Sequence, residues 1–182
     1  MGEIVESFAA RQARLLLEQY TEYLFHDSNG KSYTLMRKNK VVSNLGGSTL
    51  EIGDNVTIFE VGGGKSWTVK VAKVDRFYDF ITFDCEVDIR SDEPDLYIPT
   101  EGKSFYQGGI SGGSSHFQRG RINTIDLMKS IFIGSTIEDV AGAEGCGLFY
   151  DRGVELLGIC VGFETDSSGE HINRFVPISF CA

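Results

Sequence analysis

Ile4, Val5, Phe8, Leu15 and Leu16 recur at roughly helical spacing among Glu, Arg, Gln and Ala, which predicts an amphipathic helix over 3–17. Beyond it the period changes to short apolar runs broken by turn residues. Tyr20 to Phe25 and Ser32 to Met36 read as two strands joined at Asp27-Ser28-Asn29-Gly30. Val41-Val42, Asn55 to Val61, Trp67 to Val74 and Phe80 to Val87 follow, punctuated by Gly46-Gly47, Gly53-Asp54 and Gly62-Gly63-Gly64. After the acidic stretch Ser91-Asp92-Glu93-Pro94-Asp95 come Ser104 to Ile110, Ser115 to Arg121, Met128 to Ile133, Leu148 to Tyr150, Leu156 to Val161 and Arg174 to Phe180. Many short strands with glycine-rich corners predict an all-β protein of two antiparallel barrels braced by one α-helix. The expected divisions are a helix over 1–18, a first barrel over 19–92 and a second over 93–182.

Composition narrows the partners. A net charge of -9 disfavours nucleic acid, although Arg37-Lys38-Asn39-Lys40 is a local basic run. Four cysteines, at 85, 146, 160 and 181, are few for a disulfide scaffold and lack zinc spacing, so they are expected as reduced thiols in the cytoplasm. The N-terminus lacks the apolar run of a signal peptide, and no stretch is long enough to span a bilayer. Gly62-Gly63-Gly64-Lys65-Ser66 is a hairpin turn, because Phe59 stands where a phosphate loop needs its first glycine and no helix pattern follows.

The segment that carries chemistry is Ala143-Glu144-Gly145-Cys146-Gly147-Leu148-Phe149, followed twelve positions after the cysteine by Gly158-Ile159-Cys160-Val161-Gly162. Taken alone, Cys146 reads as a small buried hydrophobe; the flanking glycines make it a candidate nucleophile. In a Gly-x-Ser/Cys-Gly turn the glycines let backbone N–H groups point at a developing oxyanion. Cys146-Gly147, Arg152-Gly153 and Gly158 to Gly162 together resemble the picornavirus 3C-type cysteine proteases of chymotrypsin fold. Upstream, Tyr78-Asp79-Phe80-Ile81-Thr82-Phe83 is similar to that family's acidic triad member ahead of an apolar strand. The resemblance implies Cys146 as nucleophile, Asp79 as orienter, an oxyanion turn at Glu144 and Gly145, and peptide or protein segments as partners. It also implies substrate contacts from Ala141, Cys160, Val161 and Gly162, and neither a cofactor nor a metal; His171, in Gly169-Glu170-His171-Ile172-Asn173, is a further candidate to border the cleft from a neighbouring turn.

The departures from that pattern are as informative. The family's histidine should follow the strand at Lys40 to Ser43, but the chain reads Asn44-Leu45-Gly46-Gly47-Ser48, leaving Gly46 or Gly47 at that position. A thiol without a base stays mostly protonated at neutral pH, and nothing reprotonates the leaving amine. Glu144 replaces a glycine, and its carboxylate would oppose both thiolate and oxyanion. A rival register aligns Gly142 to Phe149 with the Gly-Asp-Ser-Gly-Gly-Pro-Leu-Phe of trypsin-like enzymes and puts Glu144 itself at the nucleophile; the spacing to Gly158 favours Cys146. Cys160 and Ala141 stand where viral relatives recognise glutamine with histidine and threonine. His26 and His116 read as surface residues.

The functional expectation is a pseudoprotease, viral in origin, that binds or scaffolds protein. The alternative is an active viral cysteine endopeptidase whose base comes from elsewhere or has been replaced. A third reading is a cellular trypsin-like relative that kept its cleft for peptide capture.

Overall fold

The computed structural model describes residues 6–126, 131–136, 140–165, 167–169 and 171–182. Six strands close the first barrel: β1 (Leu24–His26), β2 (Ser32–Arg37), β3 (Lys40–Asn44), β4 (Asn55–Glu60), β5 (Ser66–Asp75) and β6 (Phe80–Asp84). They run in the order β1-β2-β3-β6-β5-β4, with β1 pairing back onto β4. The second sheet uses β7 (Asp95–Leu96), β8 (Ser104–Ser111), β9 (Ser114–Asp126), β10 (Ile131–Thr136), β11 (Gly147–Tyr150), β12 (Glu155–Thr165) and β13 (His171–Pro177). Its order is β11-β8-β9-β10-β13-β12-β7, and a further β11–β12 pairing turns six of these strands into a ring. The result is the expected all-β pair of barrels with an N-terminal helix.

Residues 3–5 of the expected helix lie outside the described residues, and from residue 6 onward the helix lies later than its periodicity predicts. α1 spans Phe8–Glu22, because Ser7 caps it by accepting the Ala10 N–H at 3.1 Å. Tyr20 to Phe25 therefore does not form one strand. Tyr20 is drawn into the helix by its ring, which stacks on Phe149 at 4.4 Å, and by its hydroxyl, whose one proton is shared between the Tyr150 and Gly153 carbonyls at 2.7 and 2.6 Å. One phenol thus ties the helix to the second barrel. The C-terminal run also divides: β13 stops at Pro177 and Ile178–Cys181 turns into a short helix, α2. Of the predicted strand from Met128, residues 128–130 lie outside the described residues. β8 and β9 meet at Gly112-Gly113, where φ is positive at both residues (59° and 80°), as a tight turn matching the twist of its strands demands.

The larger core cluster joins the barrels, with Phe25, Tyr33, Leu35 and Phe83 from the first meeting Phe149, Ile159, Val176 and Cys146 of the second. A smaller cluster around Phe105, Leu148, Leu157, Cys160 and Phe175 fills the second barrel. The cleft lies where the shared cluster reaches the surface.

Candidate functional site

The first wall of the cleft is the end of β3. Ser43 and Asn44 are buried there, and the chain then turns through Leu45 and Gly46. Asp79 opposes this turn: its backbone carbonyl accepts the Leu45 N–H at 2.9 Å and its carboxylate accepts the Gly46 N–H at 3.0 Å. Asp79 has φ 63°, making it the one non-glycine residue with positive φ among the described residues. That conformation costs on the order of 1–2 kcal/mol, offset by the hydrogen bonds that fix it. The position predicted for an orienting carboxylate and the position predicted for its imidazole are therefore neighbours. The residue between Asp79 and the cleft is Gly46, with no side chain.

The second wall is the turn from Gly142 to Cys146, held from the opposite barrel by buried hydroxyls. Ser32 Oγ donates to the Gly142 carbonyl at 3.2 Å, and Thr34 Oγ1 donates to the Gly145 carbonyl at 2.9 Å. Ser43 Oγ donates to the Ser32 carbonyl at 2.6 Å and so fixes the strand that presents them. From below, fully buried Gln107 donates through Nε2 to the carbonyls of Gly108, Cys146 and Gly147 and accepts from Asn173 Nδ2 at 2.8 Å. Gly145 has φ 87°, and a Cβ there would collide with the Ser32 carbonyl oxygen and come within 2.7 Å of Ser43 Oγ. Glycine is required at 145 by backbone shape and by contact with the other barrel.

Within this turn the side chains of Cys146 and Glu144 part company. Cys146 has no exposed surface; it sits in the core between the barrels and its thiol lies 3.5 Å from the Gly142 carbonyl. Burial pushes its pKa up to about 12. A thiol so enclosed stays protonated near neutral pH and packs as a small apolar group would. Glu144 is exposed and lines a cavity of about 430 Å³ together with Lys31, Asn44, Gly46, Gly142 and Phe163. Of the two turn registers, it is the trypsin-like one that sets its nucleophile position against Gly46 and the cleft.

Lys31 is the cleft residue that local sequence did not single out. It follows the β1–β2 turn, where Asp27 accepts its backbone N–H at 3.0 Å, and its ammonium reaches the Leu45 carbonyl at 3.4 Å. The peptide group joining Leu45 to Gly46 therefore takes the ammonium on its oxygen and gives its N–H to Asp79. Burial lowers the pKa of Lys31, opposed by the nearby charges of Asp27, Asp79 and Glu144.

The remaining predicted contacts spread apart. Cys160 is fully buried in the second barrel's core, whereas Ala141 is exposed and its carbonyl receives His116 Nε2–H at 2.6 Å. His116, expected as a plain surface residue, thus braces the foot of the turn. Val161 and Gly162 continue β12, and an added Cβ on Gly162 would lie 4.0 Å from Glu144 Oε1. His171 opens β13 opposite Thr165, two rungs along the ladder from the Phe163–Asn173 pair that borders the cavity. His26 stacks on Phe59 in the first barrel. Among the described residues no group of three or more His, Cys, Asp or Glu is arranged to hold a metal, and no helix is long and apolar enough to cross a membrane.

Solved structures share this fold. The MamO protease domain from Magnetospirillum magneticum superposes with a TM-score of 0.71 at 13% identity, covering 91% of this chain and 96% of that one. The fold is that of the chymotrypsin-like proteases. A serine endoprotease from Yersinia pestis matches at 0.70 and 16% identity over 98% of this chain and 65% of that one. The Rv3671c protease in an inactive form matches at 0.70 and 13% identity over 98% and 94%. No protein-family model and no curated protein sequence matches the chain. The similarity supports the chymotrypsin-like fold and gives no support to the narrower picornaviral cysteine type or to a viral origin. At these identities it speaks for the fold alone.

Proposed function

We propose that this chain is a catalytically silent protease-fold domain that holds an extended protein segment in the cleft between its barrels. The observation that supports the reading is the Gly46 N–H bound to the Asp79 carboxylate, Gly46 being the residue at the position where the resemblance expects a base. Opposite it stands an exposed carboxylate, Glu144, which has neither the hydroxyl nor the thiol that an acyl-enzyme requires. The trypsin-like register, with Glu144 at the nucleophile's position, suits these contacts better than one based on the buried thiol of Cys146. The working cysteine endopeptidase becomes the weaker alternative, since its thiolate would have to form inside the core.

The cleft keeps what segment capture needs. Beyond Cys160, whose N–H donates to the Cys146 carbonyl, β12 has no strand on its cleft side among the described residues. An extended peptide can add there by main-chain hydrogen bonds. The test is hydrogen exchange at 161–165 in the presence of a peptide library, with mass spectrometry of the peptides themselves. The expected result is slowed exchange at those amides with every peptide intact. Cleavage by the unmodified protein, or binding that leaves these amides unprotected, would overturn the proposal.

A further inference from the structure

Resting on that reading, we infer that the segment taken by the cleft is basic, with a lysine or arginine side chain directed into the cavity beside Glu144. The site itself is given by two features independent of charge: the edge of β12 after Cys160, without a partner strand on its cleft side among the described residues, and the cavity of about 430 Å³ that this edge borders through Phe163. Charge then selects the occupant. The charged side chains lining the cavity are Lys31 and Glu144, and the Lys31 ammonium also lies in the field of Asp27 and Asp79, so acidic side chains outnumber basic ones around it.

Two of these carboxylates are already committed. Asp27 accepts the Asn29 and Lys31 N–H groups and the Tyr33 hydroxyl, and Asp79 accepts the Gly46 N–H. The third, Glu144, is exposed and reaches toward β12, with Oε1 4.0 Å from the point where a Gly162 side chain would begin. On the same strand Glu164 is engaged by Arg174 at 2.6 Å. Glu144 is thus the carboxylate placed to meet an incoming cation. Its position also sets the anchor: a carboxylate repels a carbonyl oxygen that would otherwise settle near the turn, and attracts a guanidinium or ammonium. Lys31 is the opposing influence, because its ammonium competes with the guest for the same field.

The experiment compares three fluorescein-labelled pentapeptides, Gly-Ala-Xaa-Ala-Gly with Xaa as Arg, Gln or Glu, by fluorescence anisotropy at low and at physiological salt. On the intact chain the arginine peptide is expected to bind at least tenfold more tightly than the glutamate peptide, with the gap narrowing as salt screens the charges. Glu144→Gln should bring the arginine peptide to within threefold of the glutamine peptide. Lys31→Met should act in the opposite sense and tighten the arginine peptide severalfold, a gain that a merely structural role for Lys31 does not produce. Equal binding of all three peptides, preference for the glutamate peptide, or indifference to Glu144→Gln overturns the inference while leaving segment capture standing. Binding of none of them, together with an unprotected β12 edge, overturns both. Self-association of the chain through that edge, read by sedimentation, also overturns it by naming a second copy as the occupant.

Discussion

The thiol of Cys146 should resist alkylation in the folded protein. Its sulfur has no exposed surface and burial raises the pKa from 9.0 to about 12. At pH 8 the thiolate fraction is then on the order of 10⁻⁴, against about a quarter for an ordinary thiol of pKa about 8.5, so reactivity falls by roughly three powers of ten before access is considered. The free energy behind that suppression is about 4 kcal/mol. Enclosure adds to it, since a reagent reaches the sulfur only when the turn and the barrel interface open together. The assay is time-resolved labelling with iodoacetamide in native buffer and in denaturant, followed by peptide mapping of all four cysteines. Cys85, 7% exposed, should be modified first, and Cys146 at least a thousandfold more slowly than in the unfolded chain. Native-state labelling of Cys146 within tenfold of its unfolded rate, or ahead of Cys85, would refute the argument and return the thiol to candidacy as a nucleophile.

Three further outcomes are expected. Gly145→Ala should destabilise the chain by about 3 kcal/mol or more in chemical denaturation, from the cost of a left-handed alanine plus the collision with Ser32 and Ser43. Gln107→Leu should cost about 2–4 kcal/mol by the same measurement, because it strips a buried donor from three carbonyls and leaves the Asn173 amide unpaired. Stability should fall as pH rises above 9: Cys146 and Cys181 both ionise near 9 when unfolded but are held at about 12 when folded, so the unfolded state alone releases their protons in that window. The slope is about 1.4 kcal/mol per pH unit for each thiol, and Cys146→Ala should remove one such share from thermal melts taken between pH 9 and 11.

How much of this was legible in the chain depended on the range of the interactions. Turns such as Gly62-Gly63-Gly64 and strands such as Asn55–Glu60 follow from local period and backbone need, and they stand where the sequence puts them. The helix boundary was misread because Tyr20 answers to Phe149 and Tyr150, far along the chain, and not to its aromatic neighbours. At the site, the meeting of Asp79 with Gly46 was readable from two short segments and a resemblance. That Cys146 is buried and Glu144 exposed was not, since it depends on which side chain of one turn enters the core between the barrels. Lys31 left no local signal; only closure of the first barrel and its docking on the second bring it beside Glu144.

The hydroxyls of Ser32, Thr34 and Ser43 bear on the order in which the molecule is made. Ser32 and Thr34 belong to β2 and Ser43 to β3, so ribosomal synthesis completes them long before Gly142 to Gly145 emerge. Until the later turn arrives, those hydroxyls and the apolar residues of the shared core, Phe25, Tyr33, Leu35 and Phe83 among them, lack their partners from the second barrel. Truncating the chain before residue 140 would leave both that apolar surface and the polar notch beside it uncovered, a species that a chaperone or a protease could recognise as unfinished.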